Sequence, residues 1–184
     1  RKNRYLTGSF NHGSMANAMP MAMGAGLGHP DRQVVALCGD GGLTMLLGDL
    51  MTISQYKIPV KIIVFNNRCL GMVKLEMEVE GYPDWQTDMD NPDFAKLAAA
   101  MNIKAWEAKK STDVALAIEE AFAHKGPALV NIYTDPAALA MPPEIKFEQM
   151  KGFAKSMSKL MLNGRTAEVI DNAKSNFKYL KELF

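Results

Sequence analysis

Three residues, Asp40, Asn66 and Asn67, stand out for their type and spacing. Asp40 lies in "CGDGG" (38–42), and the asparagine pair lies in "FNNR" (65–68). A carboxylate and a side-chain amide oxygen are hard oxygen donors, suited to Mg²⁺, which completes a near-octahedral shell with phosphate oxygens and water. Gly41 and Gly42 follow the acid at the expected start of a helix. Their amides have no Cβ in the way and can approach an anion closely. Gly-Asp-Gly alone is an ordinary turn and Asn-Asn alone an ordinary strand end. Together, one crossover apart, they read as a clamp for a magnesium-diphosphate group.

The surrounding text supplies the elements such a clamp needs. Gln33–Cys38 ("QVVALC") and Val60–Phe65 ("VKIIVF") are short, continuous apolar runs rich in β-branched residues, the pattern of strands buried on both faces of a parallel sheet. Leu43–Tyr56 has helical length, so these segments form a βαβ unit. Pro92–Met101 and Thr112–Ala123 read as helices, Lys104–Glu107 and Ala128–Tyr133 as strands. Tyr5–Ser9 reads as a further short strand, and "GSMANAMPMAMGAGLG" (13–28) as a helix interrupted by Pro20. The alternation predicts an α/β fold with a doubly wound parallel sheet flanked by helices. Ligands of such sheets sit beyond the carboxyl ends of the strands, where Asp40 and Asn67 fall. Residues 1–141 are expected to form this domain. Beyond a hinge at "MPPE" (141–144), residues 142–184 are expected to form a helical tail.

Composition excludes other classes. The chain has 184 residues, 48% hydrophobic and 22% charged, with a net charge of +1. That balance is ordinary for a globular domain, and no basic cluster interleaved with aromatics suggests nucleic acid. Cys38 and Cys69 end apolar runs and are read as reduced thiols of a cytosolic protein. His12 is placed where it could approach a diphosphate, whereas His29 and His124 lack metal-ligand spacing. No apolar run approaches the roughly 18 residues of a membrane span, and no export signal opens the chain. The start, "RKNRYLTGSF", suggests a fragment of a longer chain.

The Asp40-to-Asn67 arrangement resembles the thiamine-diphosphate motif, and residues 1 to about 140 are similar to the diphosphate-binding domain of the pyruvate oxidase and acetolactate synthase group. The resemblance implies that Mg²⁺ is held by Asp40, Asn67 and the backbone carbonyl of Cys69, with Gly41 and Gly42 on the diphosphate. "NHGSMANAMP" (11–20) is similar to the segment holding the cofactor's pyrimidine ring. Met15 matches the apolar wedge that bends the cofactor, bringing its imino nitrogen to thiazolium C2, and the carbonyl of Gly13 matches a pyrimidine contact. "RCLGMVKLEME" (68–78) resembles the helix bordering the substrate pocket, with Val73 and Glu76 near the reacting centre. Met72 matches a position often aromatic in flavin-containing members. The family's glutamate on the pyrimidine lies in an amino-terminal domain, so this chain alone is expected to be inactive.

In the tail, Met150, Phe153, Ala154, Met157, Leu160 and Met161 fall on one helical face. After a break at Asn163–Gly164, Ile170, Ala173, Phe177, Leu180 and Phe184 repeat at three- and four-residue steps, with Lys174, Lys178 and Lys181 off the stripe. A basic amphipathic helix suits a membrane interface; it equally suits packing on a protein. "LAMPPEIKFEQMKGF" and "NGRTAEVIDNAKSNF" are similar to the end of the bacterial quinone-linked pyruvate dehydrogenases. That resemblance implies a homotetrameric enzyme, cytoplasmic and peripheral at the inner face of the membrane. It would use thiamine diphosphate, Mg²⁺ and FAD to decarboxylate pyruvate oxidatively to acetate and CO₂, reduce quinone, and bind anionic lipid through the tail. The alternatives are a non-redox enzyme such as acetolactate synthase or another 2-oxoacid decarboxylase, and, from another class, a membrane- or partner-docking module.

Overall fold

The computed structural model describes residues 4–138 and 146–180. In chain order its elements are α1 (Ala18–Gly28), β1 (Val34–Gly39), α2 (Asp40–Met45), α3 (Asp49–Gln55), β2 (Val60–Asn66), α4 (Gly71–Val79), α5 (Phe94–Ala100), β3 (Lys104–Ala108), α6 (Ser111–Ala123), β4 (Ala128–Tyr133), α7 (Phe147–Leu162) and α8 (Thr166–Leu180). The chain forms two compact units. One comprises Arg1–Asn66 and Asp90–Thr134, the other Asn67–Met89 and Asp135–Phe184. The expected hinge at Pro142–Pro143 lies outside the described residues.

The first unit is built on a four-stranded parallel sheet of order β1-β2-β4-β3. Parallel strands need a crossover between them, and the helices supply it while covering both faces. Because successive side chains point to opposite faces, Ile62 and Val64 of β2 join Leu129 of β4 in a core with Met19, Leu43, Leu50, Ile53 and Phe94. Ile63, Val130 and Ile132 join Ala117 and Ala121 of α6 on the other face. Burying this apolar surface, at about 25 cal/mol per Å², is the main stabilising contribution. Lys61 is the exception within β2. Its buried ammonium donates to the carbonyls of His124 (2.5 Å) and Gly126 (2.6 Å), just past the end of α6. Desolvation there lowers the lysine's pKa.

Three expected elements differ. Tyr5–Ser9 is not a strand; Tyr5 and Leu6 are more than four-fifths exposed and find no ladder partner. The first helix starts at Ala18 rather than Gly13, because Gly13 (φ 56°) and Ala16 (φ 63°) are left-handed. Pro20 then falls in the first turn, where a missing N–H costs no intrahelical bond, so it does not interrupt the helix. The single helix expected over Leu43–Tyr56 is two, α2 and α3, separated by the turn Leu46–Gly48.

In the second unit α4 packs against α7 at very short range. A Cβ built on Gly152 of α7 would lie 1.8 Å from the carbonyl oxygen of Val79. Two residues farther along α7 extend this contact: Ser156 Oγ donates to the carbonyl of Tyr82 (2.9 Å) and Lys159 Nζ to that of Gly81 (2.9 Å). These satisfy carbonyls of the turn that follows α4. Gly164 (φ 80°) turns the chain from α7 into α8, matching the break expected there. The buried side of the two helices matches the expected stripe only in part, at Leu160 and, half-buried, Phe153 and Met157. Ser156, Leu160, Val169, Asn172 and Asn176 are buried, whereas Met150, Met161 and Ile170 are about half exposed. Contact so close selects small and hydrogen-bonding residues over methionines. Phe184 and the side chains of Phe177 and Leu180 lie outside the described residues.

Candidate functional site

Asp40 stands where β1 ends and α2 begins, with the extended Gly39 as the residue before the helix. It is 2% exposed. Its Oδ1 accepts from the amide of Gly41 (2.9 Å) and its Oδ2 from Asn91 Nδ2 (2.7 Å). The same Asn91 nitrogen donates to Asn66 Oδ1 (3.0 Å), and Asn66 Nδ2 donates to Asn131 Oδ1 (3.2 Å). Asn66 and Asn131 are fully buried on neighbouring strands, with Asn66 opposite Tyr133 and Val64 opposite Asn131. A chain of four polar side chains thus caps one core face at the carboxyl end of the sheet.

The loop before α1 meets this end of the sheet. A Cβ at Gly42 would lie 3.3 Å from the amide nitrogen of Ala16, so the absence of a side chain there lets the segment containing Gly13 and Met15 approach α2. Met15 is half exposed (47%) and is therefore not a core methionine. His12 is exposed on the same loop.

In the second unit, Asn67 Oδ1 accepts from the amide of Cys69 (3.1 Å), which fixes the side chain. Gly71, at the start of α4, leaves room for its Nδ2, which a Cβ would meet at 3.0 Å. The backbone around Cys69 is pinned by an antiparallel bridge to Asp88, flanked by Leu70 N–H to Thr87 (2.8 Å) and Met89 N–H to Arg68 (2.8 Å). The Cys69 thiol is buried and its pKa is raised, chiefly by desolvation; burial likewise pushes Cys38 up to about 11. Both thiols are chemically quiet. Met72, Val73 and Glu76 share one exposed face of α4. Opposite them Glu78 is fully buried, with neither carboxyl oxygen hydrogen-bonded among the described residues. Burial raises its pKa to about 7, with Lys74 opposing the shift.

The Asp40 carboxylate in the first unit, and the Asn67 amide and Cys69 carbonyl in the second, are each hard oxygen donors. Donors of this kind suit a hard divalent cation that completes its shell with phosphate and water. Among the described residues no three His, Cys, Asp or Glu side chains come together as a metal cage. Asn91 and Asn131 were not expected at the site from sequence, and Asn66 only as the first of the asparagine pair. An asparagine inside the apolar strand "ALVNIY" is the signal that could have pointed to Asn131.

Residues 1–132 match the family described as thiamine pyrophosphate enzyme, C-terminal TPP binding domain. The chain is 35% identical over 173 residues (93% of its length) to a putative thiamine pyrophosphate-containing protein, YdaP, of Bacillus subtilis, of which it spans 29%. It is 38% identical over 135 residues (71% of its length) to a probable acetolactate synthase large subunit of Methanocaldococcus jannaschii, of which it spans 23%. A solved structure, the thiamine diphosphate-dependent 4-hydroxybenzoylformate decarboxylase of Rhodococcus jostii RHA1, superposes with a TM-score of 0.63 at 31% identity. That match covers 67% of this chain and 24% of that one. The chain therefore spans less than a third of the relatives it matches. With the α/β fold, the buried acid beyond β1 and the glycines that follow it, the chain belongs to the thiamine pyrophosphate enzymes, as their C-terminal cofactor-binding domain.

Proposed function

We propose that this domain holds the magnesium and diphosphate of thiamine diphosphate for an enzyme acting on a 2-oxoacid, of the acetolactate synthase or decarboxylase type. The observation that carries the reading is Asp40, buried beyond β1 and oriented by Gly41 and Asn91. Asp40, Asn67 Oδ1 and the Cys69 carbonyl would ligate Mg²⁺, and the amides of Gly41 and Gly42 would take diphosphate oxygens. Gly13 and Met15 would receive the pyrimidine, Met15 bracing the bent cofactor from its loop. Val73 and Glu76, with Met72 beside them, would face the substrate from the exposed side of α4. When bound, thiamine diphosphate supplies a carbanion-stabilising centre, and the protein's part is to bind, bend and shield it.

The relatives named as acetolactate synthases and a decarboxylase favour the non-redox chemistry. Flavin-linked oxidation of pyruvate with quinone as acceptor is the second reading. It is favoured by the exposed apolar residues Met150, Met161, Leu162 and Ile170 on the two terminal helices, a surface suited to anionic lipid at the inner face of a membrane. FAD and a homotetramer belong to that reading. Two measurements on the full-length protein decide. Asp40→Ala and Asn67→Ala should each sharply weaken Mg²⁺-dependent thiamine-diphosphate binding in calorimetry; unchanged affinity in both would refute the clamp. Incubation with pyruvate should yield acetolactate or a simple decarboxylation product without an electron acceptor. Acetate formed only when an acceptor is present would establish the second reading instead.

A further inference from the structure

We propose that Asn91 is a positioning residue for the metal-binding carboxylate: donating to Asp40 and Asn66 at once, its amide fixes the rotamer from which Asp40 would take the cation. This rests on Asp40 being a metal ligand, as argued above.

The direction of the amide chain supports it. A carboxylate can only accept, so Asn91 must turn its Nδ2 toward Asp40, and that nitrogen has one hydrogen for Asp40 Oδ2 (2.7 Å) and one for Asn66 Oδ1 (3.0 Å). Asn66 is then obliged to present Nδ2 to Asn131 Oδ1 (3.2 Å). Asn131 is left with a buried Nδ2 that has no partner among the described residues. Reversing any one amide would set oxygen against oxygen or NH₂ against NH₂. An orphaned buried donor is rare in folded proteins and unfavourable. Here it is the consequence of a polarity imposed from the Asp40 end.

The placement is equally specific. Asn66 and Asn131 are fixed within β2 and β4, the two central strands, so Asn91 ties Asp40 to the most rigid part of the unit. Asn91 is itself held two residues before Asp93, whose side chain caps α5 through the amide of Lys96 (3.0 Å). Being neutral, the amide orients the carboxylate without cancelling its charge. Mg²⁺ requires near-ideal octahedral ligands, whereas Ca²⁺ tolerates irregular ones. A carboxylate that loses its anchor should therefore lose Mg²⁺ more than Ca²⁺.

The test uses the full-length protein and titrates MgCl₂ or CaCl₂ calorimetrically with saturating thiamine diphosphate. Asn91→Ala is expected to weaken Mg²⁺ about 10- to 100-fold, the usual loss when an outer partner of a ligand is removed. Ca²⁺ binding should weaken less, so that the Mg²⁺/Ca²⁺ preference narrows. Asn91→Ser, which retains a donor, should recover part of the loss. Asp40→Ala is run in parallel. If it abolishes Mg²⁺ binding while Asn91→Ala and Asn91→Ser stay within twofold of wild type, the positioning role is overturned and the clamp stands. If Asp40→Ala is itself without effect, the clamp has failed and takes this inference with it. Should the Ala variant not fold, the Ser variant alone decides: an unchanged Mg²⁺/Ca²⁺ ratio overturns the proposal.

Discussion

Two side chains carry predictions of their own. Lys61 is a buried ammonium whose hydrogen bonds go to the carbonyls of His124 and Gly126. Lys61→Met keeps most of the volume but strands both carbonyls, at a cost of about 1–3 kcal/mol for each buried group left unsatisfied. A lower urea midpoint is expected, with unchanged metal affinity. Met15 is half exposed on a loop that passes the α2 glycines, so on the proposed function Met15→Ala would remove a contact to the cofactor rather than a piece of the core. Exchange of the cofactor's C2 proton should slow by on the order of 10²-fold, the cost of a small misplacement of reacting groups. Mg²⁺ affinity should hold; a wild-type exchange rate would leave Met15 with no role in bending the cofactor. The Asp40 and Asn67 positions were legible in sequence because an acid between glycines and an asparagine pair are unusual together. Asn91 was not, since "NPD" before a helix reads as a turn and cap, and only the folded sheet brings its amide to Asp40.

Among elements, the strands were legible because sheets covered on both faces demand continuous apolar runs, and "VKIIVF" and "ALVNIY" have them. Tail orientation was not. Periodicity finds the greasier side of a helix, but α7 meets α4 through Gly152 and Ser156, where backbones nearly touch. Gly152→Ala should therefore force α4 and α7 apart, since backbone cannot yield to a Cβ at 1.8 Å as a flexible side chain would. Overpacking of this kind costs about 1–3 kcal/mol or more, and faster proteolysis within α7 would report it. Glu78 adds a pH dependence to the same unit. Its carboxyl titrates near 7 when folded, against 4.5 ordinarily, mainly through burial; Lys74 and Arg165 pull it down, and Asp84 and Glu168 push it up. The folded state thus holds this proton more tightly than the unfolded chain does. The contribution to stability is complete below about pH 4.5 and is lost as pH rises to about 7. Glu78→Gln should flatten that slope, and urea midpoints at pH 5 and pH 8 that decline as steeply in the variant as in wild type would count against it.

At the scale of the whole molecule, the chain spans less than a third of the relatives it matches. No helix among the described residues is long and apolar enough to cross a membrane. Binding to a lipid surface would instead use the exposed Leu162 and Ile170, with Lys174 one turn beyond Ile170 on α8. Apolar burial contributes about 25 cal/mol per Å², and each lysine near an anionic surface on the order of 1 kcal/mol, weakening with salt. Deleting α8 is a blunt test, because Ser175 bonds Asp135 (2.6 Å) and Asn176 the carbonyl of Ala137 (2.8 Å) within the same unit. The pair Leu162→Glu and Ile170→Glu leaves those bonds intact and changes only exposed positions. In the full-length enzyme the double variant should melt as wild type does and turn over its substrate unchanged. If the second reading holds, it should no longer sediment with phosphatidylglycerol vesicles at low salt. If wild type itself fails to sediment, or if the variant melts earlier and binds vesicles as before, the exposed face belongs to protein packing. Pyruvate oxidation at a membrane would then lose the surface that favours it.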